Sequence, residues 1–228
     1  MRKAAANKPG RVQSDADVGG LLHVIEAKSK SRLETLSDGI FAVAMTLLVL
    51  DVKLPSISDD KSATEFAHAL MALWPKLTVF VVSFIVLARA WNLHHYVFSH
   101  LKGSDHVLYY TNAFWLLAVT LLPFSTALMG EHPNRGLAAA IYSCNFLLLA
   151  ILPYFMWHYA TKVHRLVSRD LDEGTVHWVK QRLITSMIVF ALTLVMASFS
   201  PQGSVAVILG YQLLMLVLPV ARHLRQRL

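Results

Sequence analysis

The chain has little of what catalysis or covalent stapling requires. A single cysteine, Cys144, stands among 228 residues, which excludes an intrachain disulfide and any multi-cysteine zinc site. Inside an apolar stretch it reads as a small packing residue. There is no Walker loop, G-x-S-x-G, H-E-x-x-H or glycine-rich dinucleotide turn, so the sequence reads as a non-enzyme without a cofactor or resident metal. Charged residues make up only 15%. No cleavable signal peptide is legible: residues 1–31 are polar and basic, and the first apolar run begins late, without a small-residue cleavage site. Residues 32–130 and 131–228 do not repeat one another, so an axial pore would have to be built from several copies.

What the chain has in excess is apolar sequence: 55% hydrophobic residues and a mean hydropathy of +0.49, more than a soluble domain of this size carries. Windows of roughly 18 residues or more, about the length that crosses a hydrocarbon core, recur at about 37–55, 74–98, 106–129, 136–160, 183–200 and 204–221. The expected fold is an all-α integral membrane protein with six transmembrane helices. Residues 32–222 would form the membrane domain. Residues 1–31 would be a disordered tail passing into a short amphipathic stretch from Leu21, and 223–228 a short C-terminal tail. The outer segment Ser56–Ser62 reads as short and polar around Asp59 and Asp60, and Thr161–Arg182 as the longest polar connection. Pro75 suits a first helical turn. Pro123, Pro153 and Pro219 fall inside or near the ends of spans, where neighbouring helices can satisfy the freed carbonyls.

Of the 21 Lys and Arg, all but Lys53, Lys61, Lys76 and Arg135 fall on one side of the six spans. The sparse side also holds Asp51, Asp59, Asp60, Glu65 and Glu131. The asymmetry predicts both termini in the cytoplasm. It accounts for the net charge of +7 through this rule and through attraction to anionic membrane lipid. No basic stripe interleaved with aromatics suggests a nucleic-acid partner.

The first span carries the chemistry. At about 100° per residue, Gly39, Val43, Leu47 and Leu50 fall on one stripe, with Thr46 on its border. Two readings fit. Around a symmetry axis the stripe would form apolar rings that gate by dewetting; otherwise it packs on neighbours or lipid. Ser37 and Asp38 lie at the mouth of this span, a turn and a half after Arg32. A carboxylate there either belongs to a buried network or pathway or is an interfacial charge at a helix N-terminus. The nearest other carboxylate on the span, Asp51, is roughly 20 Å along the helix, too far for a protease dyad. At the cytoplasmic end of span two lies Trp91-Asn92-Leu93-His94-His95-Tyr96-Val97-Phe98. Neither histidine has an i+4 partner for a helical zinc pair. A hydrogen bond from one imidazole to Asp38 or Ser37 is the favoured reading. Asn112 and Asn145 read as interhelical glue.

Taken together, Arg32, Ser37, Asp38, Gly39, Ala42, Thr46, Leu47, Leu50 and Pro55, followed by Ser83, Phe84, Trp91, His94, His95 and Phe98, resemble the two signature motifs of the transmembrane protein 175 family of potassium channels in its bacterial form. Asn112 and Leu122-Pro123-Phe124 are further echoes. Leu36 stands where the family usually has Phe, and the match fades beyond about residue 131. The resemblance implies a potassium-permeable leak channel in the cell membrane, a homotetramer in which span one of each subunit lines the pore. On this chain it puts the narrow layers at Val43, Leu47 and Leu50, with Thr46 as a hydroxyl layer aiding potassium preference. Arg32, Ser37, Asp38, Trp91 and His94 or His95 would then be the polar network holding span one. A proton channel or proton-coupled transporter using Asp38 and His94/His95 is the competing expectation, and a structural membrane protein a third.

Overall fold

The computed structural model describes residues 10–53, 62–168 and 170–225. Among the described residues the membrane-length elements are all helices, as a chain immersed in hydrocarbon requires when each N–H and C=O needs a partner within its own segment. In chain order the helices are α1 (Gly10–Leu50), α2 (Ala63–Met71), α3 (Trp74–Ser99), α4 (His106–Glu131), α5 (Gly136–Thr161), a 3₁₀ turn (Lys162–His164), α6 (Glu173–Met196) and α7 (Pro201–Arg225). Among the described residues, five helices carry a stretch long and apolar enough to cross a membrane: Ser29–Leu50 of α1, and α3, α4, α5 and α6 in full. The described part of α7 adds an apolar stretch, Pro201–Val217.

Three features depart from expectation. The tail taken as disordered is helical from Gly10 and continuous with the first span. Its Glu, Lys, Ala and Leu are favourable helix formers that carry the helix through. Between the first two spans lies a short helix, α2, following the outer segment Ser56–Ser62, where no helix was expected. Its start is a capping box: the Ser62 N–H donates to Glu65 Oε2 at 3.0 Å, and the Glu65 N–H donates back to Ser62 Oγ at 3.3 Å. Most of the expected outer segment, with Asp59 and Asp60, lies outside the described residues. Finally, the long polar connection shrinks to about half, because Asp172 accepts the Thr175 N–H at 2.9 Å and starts α6 well before Arg182. A cap of this kind is worth about 1 kcal/mol. Pro75 does lie in the first turn of α3, and Pro123 and Pro153 sit inside α4 and α5.

Over half of the α4 span is buried within the subunit, against 28% of the α1 span. α4 is therefore the central post, with α5, α1 and α3 against it. The large buried side chains Trp115, Leu108 and Leu122 of α4, Tyr142, Phe146 and Trp157 of α5, Phe98 and Leu87 of α3, and Phe41 and Leu48 of α1 form one core. Cys144 departs from its expected packing role: it faces out of α5 and is exposed.

At one end, the α3–α4 and α5–α6 connections clasp each other. Leu101 and Val167 form an antiparallel bridge, and the Lys102 N–H donates to Leu166 O at 2.8 Å. Lys30 of α1 joins this end by donating to Leu101 O at 2.8 Å. Asp105 caps α4 by accepting the Leu108 N–H at 2.9 Å, and also accepts the Tyr159 hydroxyl at 2.5 Å. Arg165 lies 3.5 Å from its carboxylate and over the Tyr159 ring. Burial alone would raise the Asp105 carboxyl, but the Tyr159 and Leu108 donors and the Arg165 charge outweigh it and hold the group below its ordinary value.

Candidate functional site: the two faces of the first helix

α1 has a clean division of faces. Leu33, Ser37, Phe41, Ala44 and Leu48 are buried. They recur at intervals of four, four, three and four, the seam that a helix turns toward a neighbour. On the opposite side Leu36, Val43, Leu47 and Leu50 are exposed, Val43 at 57% and Leu50 at 66%. Gly39 belongs to that side and has no atom near the position of a Cβ. Thr46 lies there too, and its hydroxyl donates to Val43 O at 2.8 Å. With its proton committed to the backbone, the oxygen turns only lone pairs outward.

The buried face is held by polar bonds as well as packing. Asn112 of α4 is fully enclosed. Its Nδ2 donates to Ser37 Oγ at 3.2 Å, and its Oδ1 lies 3.0 Å from His94 Nε2 of α3. Ser37 in turn donates to Leu33 O at 2.8 Å. An amide that donates through Nδ2 accepts through Oδ1, so the His94 proton is assigned to Nε2. The His94 ring stacks on Phe98 at 4.1 Å and lies 5.2 Å from Trp115, which meets Phe41 edge-on. One side-chain amide thus ties α1, α3 and α4 together. A second polar layer lies deeper: Ser83 Oγ is 2.7 Å from Thr126 Oγ1 and 2.9 Å from Tyr142 OH, and Asn145 donates to Ser125 at 3.2 Å. Asn112 and Asn145 thus act as the interhelical glue expected of them.

The expected single network of Arg32, Ser37, Asp38, Trp91, His94 and His95 is divided. Asp38 is exposed in the subunit and accepts the Trp91 indole N–H at 2.8 Å. Neither Arg32 nor an imidazole bonds to it. Arg32 precedes it by six residues, about 120° away around the helix, so the two side chains leave on different faces. His94, not His95, is the buried histidine, and its partner is Asn112. His95 is exposed, four residues from Trp91 and 6.3 Å from its ring. The bridging role of Asn112 was the piece missing from the motif. Its sequence signals were an amide in an apolar span and the family echo at that position.

Long apolar helices bridged by buried polar side chains define a multi-pass membrane protein, whose first helix keeps an apolar face without a partner in the subunit. The profile of the family described as endosomal/lysosomal potassium channel TMEM175 matches residues 32–123, a stretch that holds every residue of the two faces just described. A potassium channel of Chamaesiphon minutus is 36% identical over 159 residues, 67% of this chain and 78% of that one. A potassium channel of Streptomyces collinus is 32% identical over 173 residues, 74% and 82% of the two chains. The human endosomal/lysosomal proton channel TMEM175 is 29% identical over 191 residues, and this chain matches 38% of its length. The crystal structure of a lysosomal potassium-selective channel TMEM175 homologue from Chamaesiphon minutus superposes with a TM-score of 0.73, at 29% identity, covering 83% of this chain and 97% of that one. The chain belongs to the TMEM175 family of ion channels, a family of membrane channels and not of enzymes.

Proposed function

We propose that four copies of the chain surround a potassium-conducting pore lined by α1. The observation that carries this reading is the exposed stripe of Val43, Leu47 and Leu50 on a helix whose other face is fastened by Ser37 and Phe41. A face that merely packed within the subunit would be covered. Around the axis Val43 and Leu47 would form rings roughly 6 Å apart, with Leu50 about 4.5 Å further on. Such apolar constrictions oppose the entry of water and so limit conduction. The Thr46 oxygen, its proton already donated, would offer a cation a ring of acceptors between them. The names of the two bacterial relatives support potassium as the ion.

In this assembly α7 completes six spans, both termini face the cytoplasm, and the residues outside 32–222 lie in water. The clasp of Leu101 with Val167 puts the α3–α4 and α5–α6 connections on one side, which fits that threading. The exposed apolar side chains of α2, Phe66, Leu70 and Met71, would rest in the outer membrane interface. Ser37, Asp38, Trp91 and His94 brace α1. Arg32 and His95, which make no bond to them within the subunit, sit at the cytoplasmic entrance. Membrane lipid and further copies of the chain are the partners, with no nucleic acid, cofactor or resident metal.

Proton conduction is the second reading, favoured by the name of the human relative and by a histidine enclosed beside Ser37, Asn112 and Asp38. Purified protein in liposomes separates the readings. Potassium efflux without a proton requirement supports the first; proton flux alone supports the second; the absence of any flux rejects both.

A further inference from the structure

Away from the α1 stripe, α3, α5, α6 and α7 line an open-sided cavity of about 600 Å³, within the size range of small-molecule and cofactor sites. Its walls are largely apolar, among them Phe84, Leu93, Leu149 and Phe190, yet two guanidinium groups line it, Arg89 of α3 and Arg182 of α6. Arg89 is half-buried. It donates to Oε1 of the fully buried Gln212, and its guanidinium lies 5.5 Å from the Tyr211 ring centre. Arg182 lies 5.4 Å from the Trp178 ring centre. Ser186, hydrogen-bonded to Tyr211 at 2.6 Å, adds a hydroxyl to the same wall. Among the described residues the ion pairs are Lys30–Glu34 and Arg165–Asp105, so neither cavity arginine has a carboxylate partner. Two cations without a carboxylate partner inside a membrane domain are expensive, and Gln212 and the aromatic faces offset only part of that.

We propose that this cavity binds an anionic phospholipid from the surrounding bilayer, with its phosphate between Arg89 and Arg182 and an acyl chain along the apolar wall. Guanidinium groups match phosphate oxygens in geometry as well as charge, and the apolar walls with cations at one place suit an amphiphile better than a free ion. Both arginines lie in the halves of their helices adjoining the Leu101–Val167 clasp, so the lipid would come from that leaflet. The proposal rests on the membrane placement of the chain and is independent of the pore reading.

The test uses the full chain in vesicles, with Trp178 as reporter. Its signal is the difference in fluorescence between the unaltered protein and W178F. Phosphatidylglycerol or phosphatidylcholine, each brominated on the acyl chains, is supplied at equal mole fraction in unbrominated phosphatidylcholine. Quenching of the Trp178 signal should need roughly thirtyfold less phosphatidylglycerol, about fivefold for each of the two basic side chains at the anionic lipid. The preference should vanish in R89Q/R182Q and persist in R89K/R182K. Equal quenching by both lipids in the unaltered chain overturns the proposal, as does a preference that survives in R89Q/R182Q. Displacement of phosphatidylglycerol by millimolar inorganic phosphate would identify a free-anion site and overturn the lipid. Should R89Q/R182Q fail to fold, the comparison on the unaltered chain decides by itself.

Discussion

Replacing Asn112 with alanine should loosen the anchorage of α1 more than any other single polar truncation in the subunit. Asn112 is 1% exposed and makes two hydrogen bonds, to Ser37 at 3.2 Å and to His94 at 3.0 Å. In N112A the Ser37 hydroxyl still donates to Leu33 O, so the bond its oxygen accepted from Asn112 contributes only its net value, about 1 kcal/mol. His94 Nε2–H is left buried without an acceptor, which costs about 1–3 kcal/mol. The sum is roughly 2–4 kcal/mol, or a loss of about 5–15 °C in Tm for a chain of this size. The assay is the thermal stability of detergent-solubilised protein, followed by tryptophan fluorescence and by retention of the assembled species. A double-mutant cycle isolates the pair. Asn112→Leu orphans the His94 N–H and His94→Phe orphans the Asn112 oxygen, so each should destabilise, whereas the two together remove both polar partners and should be more stable than either single variant. If N112A melts within about 2 °C of the unaltered protein, or if the two single effects simply add, the amide is not the tie described.

Other perturbations have equally definite outcomes. Val43→Ser or Leu47→Ala should raise liposome potassium flux with assembly unchanged, because a smaller or wetter ring lowers the dewetting barrier; normal expression with unaltered flux in both would return the stripe to lipid or packing. Asp105 is held below its ordinary 3.8. Its contribution is therefore fully present above that value and is lost as pH falls through the lower folded value. Asp105→Asn should thus reduce Tm at pH 7 and at pH 5, and the gap should close below about pH 3.8; a gap that closes near neutrality would point to a different group. Gly136→Ala would place a Cβ 3.1 Å from the Ala197 carbonyl oxygen, so α5 must move from the end of α6. A loss of about 1 kcal/mol in stability is expected, read in the same melting assay; a gain would show that the helix end yields freely.

Much of this molecule is written locally. The long apolar windows became helices because hydrocarbon leaves the backbone no other way to satisfy its polar groups, and Pro75 marked the first turn of α3 as its missing N–H allows. The alternation of faces on α1 also follows from spacing: once Ser37 is inside, Val43 and Leu50 must lie outside. The family was legible because its signature residues cluster in residues 32–98. Less legible was α2, a short helix made by a capping box beside residues that resemble a polar loop.

Spacing alone could not decide which histidine turns inward. His94 and His95 differ by about 100°, but the direction of the core is set by how α3 leans on α4. Nor could it show that Asp38 takes Trp91 in place of Arg32, although helical periodicity already spoke against a pair six residues apart. Ser37 and Asn112 are separated by 75 positions, and Arg89 and Gln212 by 123. Such partners meet only when distant helices pack. Local sequence was enough for a bundle of membrane helices, for the face of each that could be apolar, and for the family. Packing chose which face became the core, which amide joined three helices, and where two arginines came to share a cavity. Periodicity fixes angles within one helix, whereas contacts between helices depend on the side chains each finds opposite it.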